Sequence, residues 1–87
     1  MRRIIELRLA RAEGAIVRTL GLIERRGFTV AAITMRSDGG SETLVLRLEV
    51  ASEGRPFDVL LRQIMRLLDV RAALLVESPQ SDARAAC

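Results

Sequence analysis

Glu13 to Met35 reads EGAIVRTLGLIERRGFTVAAITM, and this stretch decides the fold. Across Gly14 to Arg26 the apolar residues recur at helical spacing. Ile16, Val17, Leu20 and Ile23 form one stripe, with Arg18, Thr19, Glu24, Arg25 and Arg26 mostly away from it. The helix is expected to end at Arg25-Arg26, where positive charge suits the exposed carbonyls of a last turn. Gly27 then supplies a left-handed C-cap, with Phe28 folding back onto the helix. Gly21 sits mid-helix, at a cost of up to about 1 kcal/mol relative to alanine. That position implies close approach of another backbone, the sheet beneath. The bare glycine at the helix start has two readings of about equal weight. Gly14 makes the turn, or it exposes backbone N–H groups at the positive end of the helix dipole, where a carboxylate can sit.

Strands flank this helix. Upstream, Ile4 to Ala10 places Ile5, Leu7 and Leu9 on one side of an extended chain and Glu6 and Arg8 on the other. Downstream, Thr29 to Arg36 is a second strand, and Ser37-Asp38-Gly39-Gly40 is a turn by composition. Thr43 to Val50 is the cleanest strand, with Leu44, Leu46, Leu48 and Val50 on one face and Arg47 and Glu49 on the other. Pro56 suits a first helical position. Phe57, Leu60, Leu61, Ile64, Leu67 and Leu68 then define a second helix to about Asp69. Val70 to Glu77 closes as a fourth strand with Val70, Ala72, Leu74 and Val76 facing one way, and Pro79 ends it. The order β-α-β-β-α-β makes an α+β, ferredoxin-like sandwich: a four-stranded antiparallel sheet with two helices on one face. Residues 3–77 form the single domain, and 78–87 are a flexible C-terminal tail.

The uncovered sheet face is assigned Ile4, Glu6, Arg8, Val45, Arg47, Glu49, Arg71, Ala73, Leu75 and Glu77. Opposite charges on neighbouring strands can pair there for ~0.2–1 kcal/mol each. Ile4, Val45 and Leu75 interrupt the charge, which tilts the reading from a solvated surface towards a docking face.

Composition narrows the function. At 87 residues, 49 % hydrophobic and 29 % charged, the chain has the balance of one small folded domain. Open edge strands on so small a unit favour a partner, so a homodimer is expected. The net charge of +3 comes from 14 basic residues, all arginine, against 11 acidic ones. They scatter along the chain with acids between them, so nucleic acid is not an expected partner. There is no histidine and one cysteine, Cys87, at the end of the sequence. A zinc site, a CxxC pair and the commonest general base are therefore excluded. The N-terminal MRRIIELRLARAEG does not resemble a signal peptide, and no apolar run approaches the roughly 20 residues of a membrane span. A cytoplasmic location and no membrane association are expected. Aromatic residues amount to 2 %, only Phe28 and Phe57, which argues against base stacking on a sheet. The chain also lacks asparagine, on which an acylphosphatase-like hydrolase relies. No catalytic set survives, and the chain is expected to be non-catalytic.

The run GAIVRTLGLIERRGFTVAAITM resembles the start of the ACT domain in regulatory small subunits of acetolactate synthase. Shared features are the glycine, two small or aliphatic residues, an aliphatic helix, Arg26-Gly27-Phe28 and an apolar strand. Leu67-Leu68-Asp69-Val70 resembles a leucine/valine-Asp-Val segment of the same family. The resemblance implies a role in branched-chain amino-acid biosynthesis, binding and activating a catalytic large subunit. Thiamine diphosphate, FAD and Mg are then expected on that subunit, with no cofactor on this chain. It also implies side-by-side pairing of two domains and an amino-acid effector site where the first-helix loop meets the neighbouring copy. Carried over by position, Gly14, Ala15 and Ile16 are the helix-start amides, and Thr29 and Val30 line the pocket. Valine-sensitive members carry asparagines where Arg11 and Thr29 stand here. That departure, with the short chain, resembles the isozyme II type and implies weak or no valine feedback. A free-standing ACT-type amino-acid sensor serving another enzyme or regulator is the alternative.

Overall fold

The computed structural model describes residues 1–40 and 42–76; the expected tail, with Cys87, lies outside the described residues. The elements run β1 (Arg2–Ala10), α1 (Ala15–Arg25), β2 (Thr29–Ser37), β3 (Thr43–Ala51), α2 (Phe57–Ile64) and β4 (Val70–Leu75). All strand pairings are antiparallel, in the spatial order β2-β3-β1-β4. The ferredoxin-like β-α-β-β-α-β arrangement expected from the sequence is the one observed.

Alternation builds the core as anticipated on the two central strands. Ile5, Leu7 and Leu9 of β1 lie against Leu48, Leu46 and Leu44 of β3, and all six are buried. Ile23 of α1 and Leu60 and Ile64 of α2 close over them. Phe28 and Phe57 meet at 5.3 Å between ring centroids and tie the helix ends together.

The end of α1 follows the sequence closely. Gly27 has φ 90°, its N–H donates to the Glu24 carbonyl, and Phe28 N–H donates to Ile23. This pair of bonds is a Schellman motif, and it swings Phe28 into the core.

Four local expectations are corrected. The buried face of α1 is Ala15, Thr19, Leu22 and Ile23; Ile16 and Leu20 flank it, and Val17 is 74 % exposed. Thr19 tolerates burial because its hydroxyl donates to the Ala15 carbonyl at 2.8 Å. Gly21 meets no foreign backbone: a Cβ there would touch only the Arg25 guanidinium, at 3.1 Å. Pro56 is the N-cap and not the first helical residue, and α2 stops at Ile64. Beyond it Arg66 N–H bonds to Gln63 and Leu67 N–H to Ile64, three-residue turns that tighten the chain towards β4. Leu68 is thereby left 99 % exposed.

The fourth correction concerns β4. Arg8 pairs with Ala72 but Leu9 with Val70, so Arg71 is an extra residue in a bulge. Past it the phase inverts: Ala73 and Leu75 join the core side with Val70, while Ala72 and Leu74 take the open face. Of the residues assigned to that face, Ala73 and Leu75 do not belong to it, and Glu77 lies outside the described residues. A second bulge, at Ala31, shifts β2 so that Val30, Ile33 and Met35 stand on the helix side opposite Val50, Leu48 and Leu46.

Candidate functional site

Three chain segments converge at the end of the sheet where β1 stops. Ala10 N–H donates to the Asp69 carbonyl at 2.7 Å, and Arg11 N–H to Glu42 at 2.9 Å. The loop from Arg11 to Gly14 is thus pinned between the α2–β4 turn and the start of β3. Gly14 is the N-cap of α1 at φ 78°, a left-handed conformation that favours glycine. A Cβ on it would lie 2.7 Å from Nη1 of Arg18. The turn therefore requires glycine here, and a side chain folded over the turn requires it again.

That side chain is Arg18, one turn into α1. Its Nη2 donates to the Glu13 carbonyl at 3.0 Å, and its Nε to Asp69 Oδ2 at 3.2 Å, with Nη2 closing a second contact to the same oxygen. Asp69 is the better shielded partner, its side chain 17 % exposed. The sequence reading missed this clamp. Asp69 offered one signal, a lone acid inside the apolar run between α2 and β4; Arg18 offered none beyond standing four residues after Gly14.

The expected effector residues fall into two groups. Arg11, Gly14, Ala15 and Ile16 share the end just described. The Arg11 guanidinium reaches across to Ser37 Oγ on β2 at 2.8 Å. Ala15 N–H donates to Ala12 O at 3.1 Å, which commits one of the three helix-start amides to its own turn. Gly14 and Ile16 N–H lie where a helix provides no acceptor of its own. Thr29 and Val30 stand at the other end of the sheet. Thr29 pairs with Ala51, whereas Ala10 pairs with Thr43. Eight residue steps along β3 separate those levels, roughly 26 Å at about 3.3 Å per step. One copy of the chain does not bring the two groups together.

The open face carries ion pairs from Arg2 to Glu49 at 3.2 Å and from Arg47 to Glu6 at 3.6 Å, with Arg8 paired to Asp38 at the rim. Beneath them Val45 is only 2 % exposed although no helix covers it; long charged side chains shelter it. Among the described residues no group of three or more His, Cys, Asp or Glu could hold a metal ion, and no helix is long and apolar enough to cross a membrane.

A bare sheet face, two open edges and a glycine-started helix mark a small α+β module. The ACT domain family profile matches residues 11–73. The chain belongs to the ACT domain family and is a regulatory domain of that type. A search of curated protein sequences returns no match.

Solved structures place the same fold in several settings. The small subunit of acetolactate synthase from Thermotoga maritima superposes with a TM-score of 0.78 at 17 % identity, over 88 % of this chain and 48 % of that one. This chain therefore spans about half the length of that subunit. The ACT domain from a GTP pyrophosphokinase of Chlorobium tepidum gives 0.71 at 11 % identity, over 90 % and 88 %. A formyltetrahydrofolate deformylase of Burkholderia mallei gives 0.60 at 23 %, over 75 % and 23 %. At these identities the likeness is one of fold.

Proposed function

We propose that this chain is the regulatory small subunit of an acetolactate synthase, binding and activating the thiamine-diphosphate-dependent catalytic subunit with weak or no valine feedback. The observation that carries the reading is a contact. The two stretches that resemble this family, the Gly14 helix start and Leu67–Val70, are distant in sequence yet joined by the Arg18–Asp69 pair. The structural likeness to the Thermotoga maritima small subunit supports the same reading.

The separation of the two effector groups supports a paired assembly. β2 is an open edge. If two copies join antiparallel along it, Thr29 and Val30 of one approach Ser37 of the other, and with it Arg11 and the Gly14 turn. The effector site is then complete only between copies. Arg11, held by Ser37, offers a guanidinium where valine-sensitive relatives offer a carboxamide, in keeping with a poor valine response.

Mixing the chain with its catalytic subunit should produce a co-eluting complex and raised acetolactate synthesis; absence of both removes the proposal. The Arg11→Asn, Thr29→Asn double variant should inhibit more readily with valine than the parent, read from inhibition curves. Micromolar inhibition of the parent would show that valine sensing does not depend on asparagine at these positions. A second reading, a free-standing amino-acid sensor, draws on the likeness to the ACT domain of the Chlorobium tepidum GTP pyrophosphokinase. It requires a clear binder among the twenty amino acids by calorimetry, which the first reading does not.

A further inference from the structure

On the sheet face that no helix covers, strand register sets three arginines around one valine. Arg8 of β1 and Arg36 of β2 both pair with Val45 of β3, one on each side, and Arg47 follows Val45 on the same face of β3. Val45 is 2 % exposed beneath them. Adjacent strands lie about 4.8 Å apart, so Arg8 and Arg36 spring from positions roughly 10 Å from each other. Arg47 pairs with Glu6 at 3.6 Å and Arg8 with Asp38. Arg36 has no carboxylate partner among the described residues. It borders a cleft of about 350 Å³ together with Thr34, Val45, Arg47 and Glu6.

Charge decides what fits this face. Arg2, Arg8, Arg36 and Arg47 stand on it against Glu6 and Glu49, an excess of positive charge that Asp38 at the rim reduces without cancelling. A second copy laid on the face would set the same excess against itself, and like charges juxtaposed across an interface oppose association. A nucleic-acid backbone would meet Glu6 and Glu49 interleaved with the arginines, and both phenylalanines are in the core, out of reach of a base. A protein surface with spaced carboxylates meets neither obstacle. The planar fork of arginine holds a carboxylate through two N–H groups, and arginine is enriched in protein interfaces. The broad side of the molecule, 31 Å by 31 Å, has room for the ~800 Å² that each partner contributes to a standard interface.

Given the subunit reading above, on which this inference rests, we propose that the open face docks an acidic patch of the catalytic subunit. One aspartate or glutamate of that patch sits in the cleft between Arg36 and Arg47, supplies the acid that Arg36 lacks and lays its stem over Val45. The pairs Arg2–Glu49, Arg47–Glu6 and Arg8–Asp38 already hold the other arginines of the face. Fewer long side chains then need ordering on association. The surface is distinct from the backbone edge of β2 and from the Gly14 turn.

The test measures the affinity of the full chain for its catalytic subunit in two charge-reversed variants. Arg36 is exposed, and Arg36→Glu should weaken the complex about ten-fold or more by setting an acid against acids. Arg25→Glu makes the same change of net charge on α1, on the helix side, and should stay within about two-fold of the parent. Parent-like affinity in Arg36→Glu, or equal weakening by Arg25→Glu, overturns the docking face and leaves the subunit reading standing. Absence of any complex with the unaltered chain removes both. A single-stranded oligonucleotide that displaces the catalytic subunit and loses affinity in Arg36→Glu would reassign the face to nucleic acid, which also overturns the proposal. Should Arg36→Glu fail to fold, Arg36→Gln decides, with a loss of roughly three-fold expected, the scale of an exposed ion pair.

Discussion

Gly14 and Gly21 sit seven residues apart in one sequence motif and bear opposite burdens. Gly14 holds a left-handed φ and lies under the Arg18 guanidinium. Gly14→Ala combines the left-handed penalty, about 1–2 kcal/mol, with displacement of Arg18 from Asp69. A loss of about 1–3 kcal/mol is expected in urea unfolding. Gly21 has ordinary helical geometry and faces only the flexible end of Arg25. Gly21→Ala should therefore gain up to about 1 kcal/mol from helix propensity; a loss there would restore the idea of a close neighbouring backbone. The sequence alone made Gly14 a turn or an anion site and Gly21 a close approach to the sheet. What separates them is a backbone angle and the reach of one arginine, and neither is a property of local spacing. Arg18 and Asp69 were invisible for the same reason: their contact spans 51 positions along the chain.

At the scale of elements, legibility followed regularity. β1 and β3 alternate without interruption, and their buried rows were read correctly residue by residue. β4 was read in the wrong phase because one inserted residue, Arg71, inverts every side chain beyond it. β2 shows the consequence of a similar shift at Ala31. It presents Ile33 and Met35 on the helix side, yet they remain 48 % and 50 % exposed. β2 is exposed along nearly its whole length. An apolar row on an unpaired edge invites a second strand. Ile33→Lys with Met35→Lys should yield a folded monomer by sedimentation, with little loss of helical signal, since neither residue is buried. Unchanged dimer mass would place the joint elsewhere, and a parent that is itself monomeric at tens of micromolar would remove the joint altogether.

The whole molecule is a slab, 31 Å by 31 Å by 17 Å along its principal axes. A sheet with helices on one side alone buries a modest share of its surface at this size, so stability is expected to draw on association. The melting temperature should consequently rise with protein concentration across the micromolar range, as it does whenever a partner binds only the native state. A melting temperature flat over a hundred-fold dilution would mean that the fold is self-sufficient. The fold class was legible because two amphipathic helices need one apolar face and four strands supply it. The expected effector residues could not be seen from the sequence to stand apart, because their distance is set by the register of β3 with its two neighbours.

The strand order has a temporal corollary. Of the described strands β1 is made first and sits in the middle, flanked by β3 and by β4, the last of them to be made. On the ribosome, at about 5–20 residues per second, Leu9 waits roughly 3–12 s for Val70 to be synthesised. During that interval a sticky row of aliphatic side chains has one flank unclaimed, and Glu6 and Arg8 interleaved within it act as the guards that slow coalescence between nascent chains.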